Sequence, residues 1–219
     1  MSWTLGHVPR RGTCPPPPSP PTAGCFTEAQ VAFAEEAFAM ATEFAHEQGA
    51  LLVASAGNEA FDFDHTADLI AIPQVSPHVI RVSATSPIGW ALNPATDPDV
   101  PTWYTNFGRS YIHFAAPAGT RDPALAAIGQ ICTVGIRTDV CAEFDKVMTT
   151  RFGGWVFSWG TSQAAPHVSG VAALVIGRYP HLTPNQVRAR IRAGADDILE
   201  PGHDAYSGHG RINAANAVQ

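Results

Sequence analysis

The sequence predicts an α/β fold with a mostly parallel sheet. Two continuous apolar segments, 50–54 and 79–84, are typical of strands that are buried on both faces of such a sheet. A helical pattern over 27–49 immediately precedes the first segment. An almost wholly apolar helix follows residue 160, and because it is apolar almost all round we expect it to be buried. Helices that alternate with buried strands favour crossover connections, so we expect the two segments to be parallel neighbours.

Composition narrows the function classes. The chain of 219 residues is 45% hydrophobic and 15% charged, which suits one domain, or a large part of one, with its own core. A net charge of −6 argues against nucleic acid or an anionic membrane surface as a partner. No apolar run approaches the ~20 residues of a transmembrane helix, and the N-terminus lacks the apolar core of a signal peptide.

The N-terminal third begins with a predicted strand end and a loop. Residues 1–6 have the pattern of a strand end, and the proline-rich residues 7–25 are predicted to be a loop insert. Thr27 and Gln30 form a capping box that opens a helix, and Gly49 ends it. The expected apolar stripe of this helix consists of Val31, Phe33 or Ala34, Phe38, Ala41 and Ala45.

Residues 59–76 are predicted to be a loop that carries several carboxylates. Asp62, Asp64 and Asp68 offer oxygen ligands that suit Ca²⁺, and His65 lies among them. The spacing does not match an EF-hand, and a solvated loop explains the same residues. We therefore expect no metal site and no required cofactor, with structural calcium as the alternative.

The second half of the chain alternates loops with a few regular elements. Residues 91–103 are a predicted surface loop, and residues 120–151 are a predicted insert that ends in a hairpin. A second capping box, formed by Thr183 and Gln186, opens a last long helix that stops at Gly194.

The four cysteines form two pairs that are close in sequence. Of the three connectivities, the local one, Cys14–Cys25 with Cys132–Cys141, is the simplest, and four free or buried thiols are the alternative. Disulfides would indicate an oxidising compartment.

Chemistry concentrates in the segment 160–170, Gly-Thr-Ser-Gln-Ala-Ala-Pro-His-Val-Ser-Gly. Ser162 lies in the first turn of the apolar helix, beside free N–H groups and the positive end of the helix dipole. This position suits a nucleophile whose product is an oxyanion. His167 stands five residues later, about 140° around the helix from the serine, so we expect a buried, hydrogen-bonded histidine and not a base.

This segment resembles the nucleophile motif of the subtilisin-like serine proteases (subtilases, peptidase S8). Residues 52–59, Leu-Val-Ala-Ser-Ala-Gly-Asn-Glu, resemble the strand and loop that present the family's oxyanion-hole asparagine. Residues 206–215 resemble its closing Gly-x-Gly-x-x-Asn segment. The resemblance implies a subtilisin-like three-layer fold that is truncated at the N-terminus, with residues 1–219 as the C-terminal portion of the catalytic domain.

The resemblance also implies residue roles in a serine endopeptidase. Ser162 would be the nucleophile, and Asn58 would stabilise the oxyanion together with the Ser162 N–H. The substrate cleft would be bordered by Thr4, Leu5, Gly6, Ser55, Ala56, Gly57 and Thr161. The partner would be a peptide or protein substrate, and the location would be extracellular.

The family's other two motifs are missing from the sequence. We find neither the Asp-x-Gly motif nor the His-Gly-Thr-type motif, which normally lie upstream of a segment like residues 1–6. We therefore expect the chain to be inactive alone and to have the missing N-terminal segment as a partner. The alternatives are a non-catalytic peptide-binding remnant and an esterase that uses Ser162.

Overall fold

The computed structural model describes residues 6–9, by their backbone alone, and residues 26–66 and 69–219. The helices of this part are α1 (Glu28–Glu47), α2 (Pro123–Ile128), α3 (Thr161–Arg178), α4 (Pro184–Gly194) and α5 (Ala214–Ala217), with a 3₁₀ helix at Cys141–Asp145. The strands are β1 (Gly6–Pro9), β2 (Leu52–Ser55), β3 (Leu69–Ile72), β4 (Val79–Thr85), β5 (Phe114–Pro117), β6 (Ile131–Val134), β7 (Arg137–Val140), β8 (Val147–Arg151) and β9 (Gly154–Ser158).

The central sheet has the strand order β2-β4-β5, and both of its pairings are parallel. Val53 faces Ile80 across the first pairing, and Val82 faces Phe114 across the second. The predicted parallel pairing of segments 50–54 and 79–84 is therefore confirmed, as is the α/β class.

The main core forms where α3 packs against these three strands. One face of α3 contributes Ala164, Val168 and Val175, all fully buried. Helix α4 adds Val187 and Ile191 to the same cluster. Because Ala164 and Val168 are fully buried, the first turns of α3, which carry Ser162, are anchored in this core.

The other face of α3 is exposed, so the prediction of a helix buried on all sides is wrong. Leu174 is 55% exposed, Ile176 is 43% exposed, and His167 also faces outward. An apolar sequence indicates what a helix can bury, whereas burial itself needs an element on that side. Residues 147–149 of β8 stand across an open cavity from part of this face and leave it exposed.

Helix α1 confirms its predicted capping box, in which Thr27 and Gln30 bond each other's main-chain N–H groups. Val31, Ala34 and Phe38 pack on a small cluster with Ile70 and Ile72 of β3. Two predicted stripe residues are exposed instead, namely Phe33 and Ala41. The predicted stripe mixed two faces of the helix, because apolar residues also occur on the side that lacks a partner.

Residues 59–76 are not wholly a loop, since β3 lies within them. Leu69–Ile72 pairs antiparallel with Gly6–Pro9, and Ile70 and Ile72 are buried against α1. A run of four apolar residues is too short to distinguish from a loop by periodicity.

Among the described helices, none is long and apolar enough to span a membrane.

Residues 120–151 contain α2, the β6–β7 hairpin, the 3₁₀ helix and β8. A disulfide joins Cys132 to Cys141, with 4.9 Å between the Cα atoms. The other predicted pair, Cys14 with Cys25, lies outside the described residues. The guanidinium of Arg137 stacks over Phe157 of β9 at 4.1 Å, so the disulfide-bonded hairpin packs on the strand that leads to Ser162.

The closing motif, Gly-x-Gly-x-x-Asn, braces the edge strand β5. Gly208 has φ +61° and Gly210 has φ +109°, and both press against other main-chain segments. The Gly210 carbonyl accepts from Ala115 N of β5, and Asn213 caps α5 and donates to Asp196. A side chain at Gly210 would place its Cβ 2.2 Å from the Asp196 carbonyl oxygen, so only glycine fits there.

His113 makes stability depend on pH. Its Nδ1 accepts from the Arg81 main-chain N–H at 2.9 Å, and burial, with Arg81 and Arg188 nearby, lowers the pKa of His113 from 6.5 to about 2. In the unfolded chain the His113 imidazole binds a proton below about pH 6.5, whereas in the folded chain it stays neutral there. The free energy of unfolding therefore falls as the pH falls below about 6.5. Between pH 7.5 and 5.5 we expect the wild type to lose about 1 kcal/mol more unfolding free energy than His113→Asn. Urea unfolding at both pH values measures this, and equal losses in the two proteins would contradict it.

Candidate active site

The site forms where the loop after β2 meets the first turn of α3. Thr161 donates from its main-chain N–H and from Oγ1 to Asn58 Oδ1, at 2.9 and 3.0 Å. Thr161 Oγ1 in turn accepts from Gly57 N at 3.1 Å. Thr161 is fully buried and every one of these contacts joins residues about a hundred positions apart, so it fastens the two segments together.

These contacts fix the orientation of the Asn58 amide. The Thr161 N–H can only donate, so the Asn58 atom that faces it must be the acceptor Oδ1. The Nδ2 group, on the other side of the amide, has no hydrogen-bond acceptor among the described residues. An amide donor held in this way has the form that oxyanion stabilisation needs, since it requires no rearrangement during reaction.

The loop that presents Asn58 is supported by two buried side chains that we did not predict. Asn106 Oδ1 accepts from the main-chain N–H groups of Glu59 and Phe61, and its Nδ2 donates to the Ala56 carbonyl. The Tyr111 hydroxyl donates to the same carbonyl at 2.9 Å. A buried asparagine follows from no local pattern, because its partners lie 45 to 50 residues away.

Ser162 is the second residue of α3 and is exposed. Gly160, the N-cap, has no side chain to bond the first N–H groups of the helix, and the Ser162 N–H has no acceptor among the described residues. Ser162 lines an open cavity of about 480 Å³ between the exposed face of α3 and Met148 of β8. A hydroxyl and a free N–H therefore face solvent together at the positive end of the helix.

No histidine of the described segments hydrogen-bonds to Ser162. His167 lines the same cavity, but its Nδ1 bonds the Gln163 carbonyl at 2.7 Å, one turn back along α3. The prediction that His167 is hydrogen-bonded is confirmed, and the prediction that it is buried is wrong, because it lies on the uncovered face.

The predicted cleft residues have different environments. Thr4 and Leu5 lie outside the described residues, and Gly6, described by its backbone, begins β1 opposite Ile72. Ser55 and Ala56 are buried, and the Ala56 carbonyl accepts hydrogen bonds from Asn106 and Tyr111. Of the segment 55–57, only Gly57 is partly exposed beside Asn58.

The described carboxylates 62 and 64 already have hydrogen-bond partners, the first within its own loop and the second in residues 109–110. Asp62 bonds His65 Nδ1 at 2.6 Å, and this hydrogen bond raises the pKa of His65. Asp64 accepts from the Ser110 side chain and from the main-chain N–H groups of Arg109 and Ser110, which lowers the pKa of Asp64. Asp68 lies outside the described residues, and within them no three His, Cys, Asp or Glu side chains cluster as metal ligands.

Comparison with known proteins finds similar serine proteases. The chain is 30% identical over 186 residues to the serine protease AprX of Bacillus subtilis, an alignment that covers 84% of the chain and 38% of AprX. It is 45% identical over 88 residues to subtilisin DY of Bacillus licheniformis, which is 40% of the chain and 31% of that protein. The crystal structure of a lanthipeptide protease superposes with a TM-score of 0.64 and 26% identity, over 88% of the chain and 57% of that structure.

The chain thus spans less than two thirds of the length of these relatives. The family model of the subtilases matches residues 1–210, nearly the whole sequence. The chain belongs to the subtilase family.

Proposed function

We propose that this chain provides the nucleophile and the oxyanion-binding half of a serine endopeptidase active site. The Ser162 hydroxyl attacks the peptide carbonyl, and the developing oxyanion accepts hydrogen bonds from Asn58 Nδ2 and the Ser162 N–H. The observation that carries this proposal is the pair of hydrogen bonds from Thr161 to Asn58 Oδ1. They hold the Asn58 amide beside the residue that precedes Ser162 and leave Nδ2 as the donor.

The proton of Ser162 needs an acceptor, because a serine hydroxyl is a weak nucleophile without one. The proposed acceptor is the histidine of the family's His-Gly-Thr-type motif, oriented by the aspartate of its Asp-x-Gly motif. Neither motif is recognisable in these 219 residues, so both are proposed to come from a preceding segment. We call the protein that contains this segment and the chain together the complete protease.

The substrate is proposed to be a peptide in an extended conformation. It would lie along residues 4–6 and the segment 55–57, and its carbonyl oxygen would reach the edge near Gly57 and Asn58. Because the side chains of Ser55 and Ala56 are buried, this segment would contribute main-chain groups to the cleft. The proposed location is extracellular, supported by the Cys132–Cys141 disulfide.

Labelling with a fluorophosphonate, which reacts with activated serines, tests this proposal. The chain alone should label weakly, and equally in wild type and Ser162→Ala. The complete protease should label strongly and hydrolyse casein, and Ser162→Ala should abolish both. Ser169→Ala is the matched control, because Ser169 is exposed on the same helix and its Oγ bonds Ala165 O within that helix.

Three outcomes would contradict the proposal. Strong Ser162-dependent labelling of the chain alone would mean that a base exists within it, as in the esterase alternative. Peptide binding without hydrolysis by the complete protease would favour the non-catalytic alternative. Hydrolysis that survives Ser162→Ala would assign the nucleophile to another residue.

A further inference from the structure

Tyr104 is a fully buried tyrosine that touches both halves of the site. We infer that Tyr104 is a positioning residue, whose hydroxyl holds the Gly160 peptide so that the Ser162 and Asn58 donors converge on one oxygen. This inference rests on the proposed function and adds to it a residue that none of the sequence motifs indicates.

The Tyr104 hydroxyl is bonded in both directions. It donates to the Gly119 carbonyl at 2.6 Å and accepts from Gly160 N at 3.1 Å. Gly119 follows β5 and Gly160 precedes α3, so one oxygen atom joins the end of the sheet to the start of the nucleophile helix. Burial raises the pKa of Tyr104 to about 12, so the hydroxyl keeps its proton and remains a donor at any ordinary pH.

The main chain of Tyr104 reaches the other half of the site. Its carbonyl accepts from Ala60 N at 2.9 Å, two residues beyond Asn58. Its ring packs against Trp159 with 4.9 Å between centroids, directly before Gly160. Tyr104 therefore contacts the segment of each oxyanion donor, within two residues of Asn58 on one side and of Ser162 on the other.

The Gly160 peptide depends on this hydroxyl. Gly160 has φ +132°, a conformation that favours glycine, and as an N-cap it lacks a side chain that could bond the first turn. Its N–H has one further acceptor, the Ala118 carbonyl, at 3.3 Å. Without the Tyr104 hydroxyl, this longer bond would be the remaining hydrogen bond of the Gly160 N–H, directly before Thr161 and Ser162.

The test compares Tyr104→Phe with Tyr179→Phe in the complete protease. Tyr179 is the matched control, because its hydroxyl also donates to main-chain carbonyls, those of Val218 and Gln219 at the chain end. For Tyr104→Phe we expect kcat for peptide hydrolysis to fall about tenfold while KM stays within about twofold, since donor alignment matters most in the transition state. We expect Tyr179→Phe to keep the wild-type kcat and KM.

Hydrogen exchange at Gly160 provides a readout that needs no catalysis. In Tyr104→Phe, peptic fragments spanning 157–165 should exchange on the order of tenfold faster, and in Tyr179→Phe they should not change. Unchanged exchange in Tyr104→Phe would overturn the inference, and so would faster exchange with unchanged kcat. Ser162→Ala separates the two claims. If hydrolysis persists in that variant, the proposed function fails. If hydrolysis depends on Ser162 but kcat is unchanged in Tyr104→Phe, only this inference fails.

Discussion

Asn58→Ala in the complete protease is expected to lower kcat by about 10²–10³-fold and to leave KM nearly unchanged. In the proposed mechanism the Asn58 amide donates to an oxygen that carries charge in the transition state, so its loss would affect that state far more than the bound substrate. Its Oδ1 already accepts two hydrogen bonds from Thr161, which means that the donor is aligned before substrate arrives. Steady-state kinetics with a peptide amide substrate measures both constants.

A matched asparagine separates this effect from general damage. Asn185 is exposed in the first turn of α4, and Asn185→Ala should keep the wild-type kcat. Asn58→Ala also removes two hydrogen bonds from the buried Thr161, so thermal unfolding must show that the variant is folded at the assay temperature. A decrease in kcat of less than about threefold, with folding intact, would remove Asn58 from the oxyanion site.

Gly210→Ala is expected to destabilise the fold by about 3 kcal/mol or more. The φ of +109° is strained for an L-residue, and the new Cβ would meet the Asp196 carbonyl at 2.2 Å. Neither neighbour can move freely, since Gly210 O bonds β5 and the main chain of Asp196 bonds Arg211. Unfolding in urea gives the free energy, and the midpoint should shift without a change in slope.

Gly177→Ala is the control for this substitution. Gly177 lies inside α3 with open space around it, so the same added methyl group should stabilise the protein by about 0.5–1 kcal/mol through helix propensity. If Gly210→Ala were as stable as wild type, the closing motif would not hold β5 as the structure indicates.

Local patterns in the sequence predicted the elements that carry the site. Capping boxes at Thr27 and Thr183 were confirmed, because a cap depends on residues three positions apart. The parallel strands were predicted from their continuous apolar runs, since burial on both faces removes polar alternation. The roles of Ser162 and Asn58 remain predictions.

What the sequence did not reveal depends on partners far along the chain. The exposed face of α3 is as apolar in sequence as its buried face, so composition alone could not show which face packs against a neighbouring element. The bonds of Asn106 to Phe61 and of Tyr104 to Gly160 join residues 45 and 56 positions apart, and nothing local marks them. Strand β3 is recognisable only through its pairing with β1.

The bond between Gly57 and Thr161 spans 104 residues of chain, and this separation has a consequence for folding. Contacts between distant residues form late, because closing a long loop costs entropy before any contact repays it. The oxyanion donor and the nucleophile turn can therefore meet only after β2, β4, β5 and α3 have assembled. Competence to bind a transition-state oxygen should thus appear with the slowest folding phase of the chain, and a refolding intermediate with native-like helix content should still lack it.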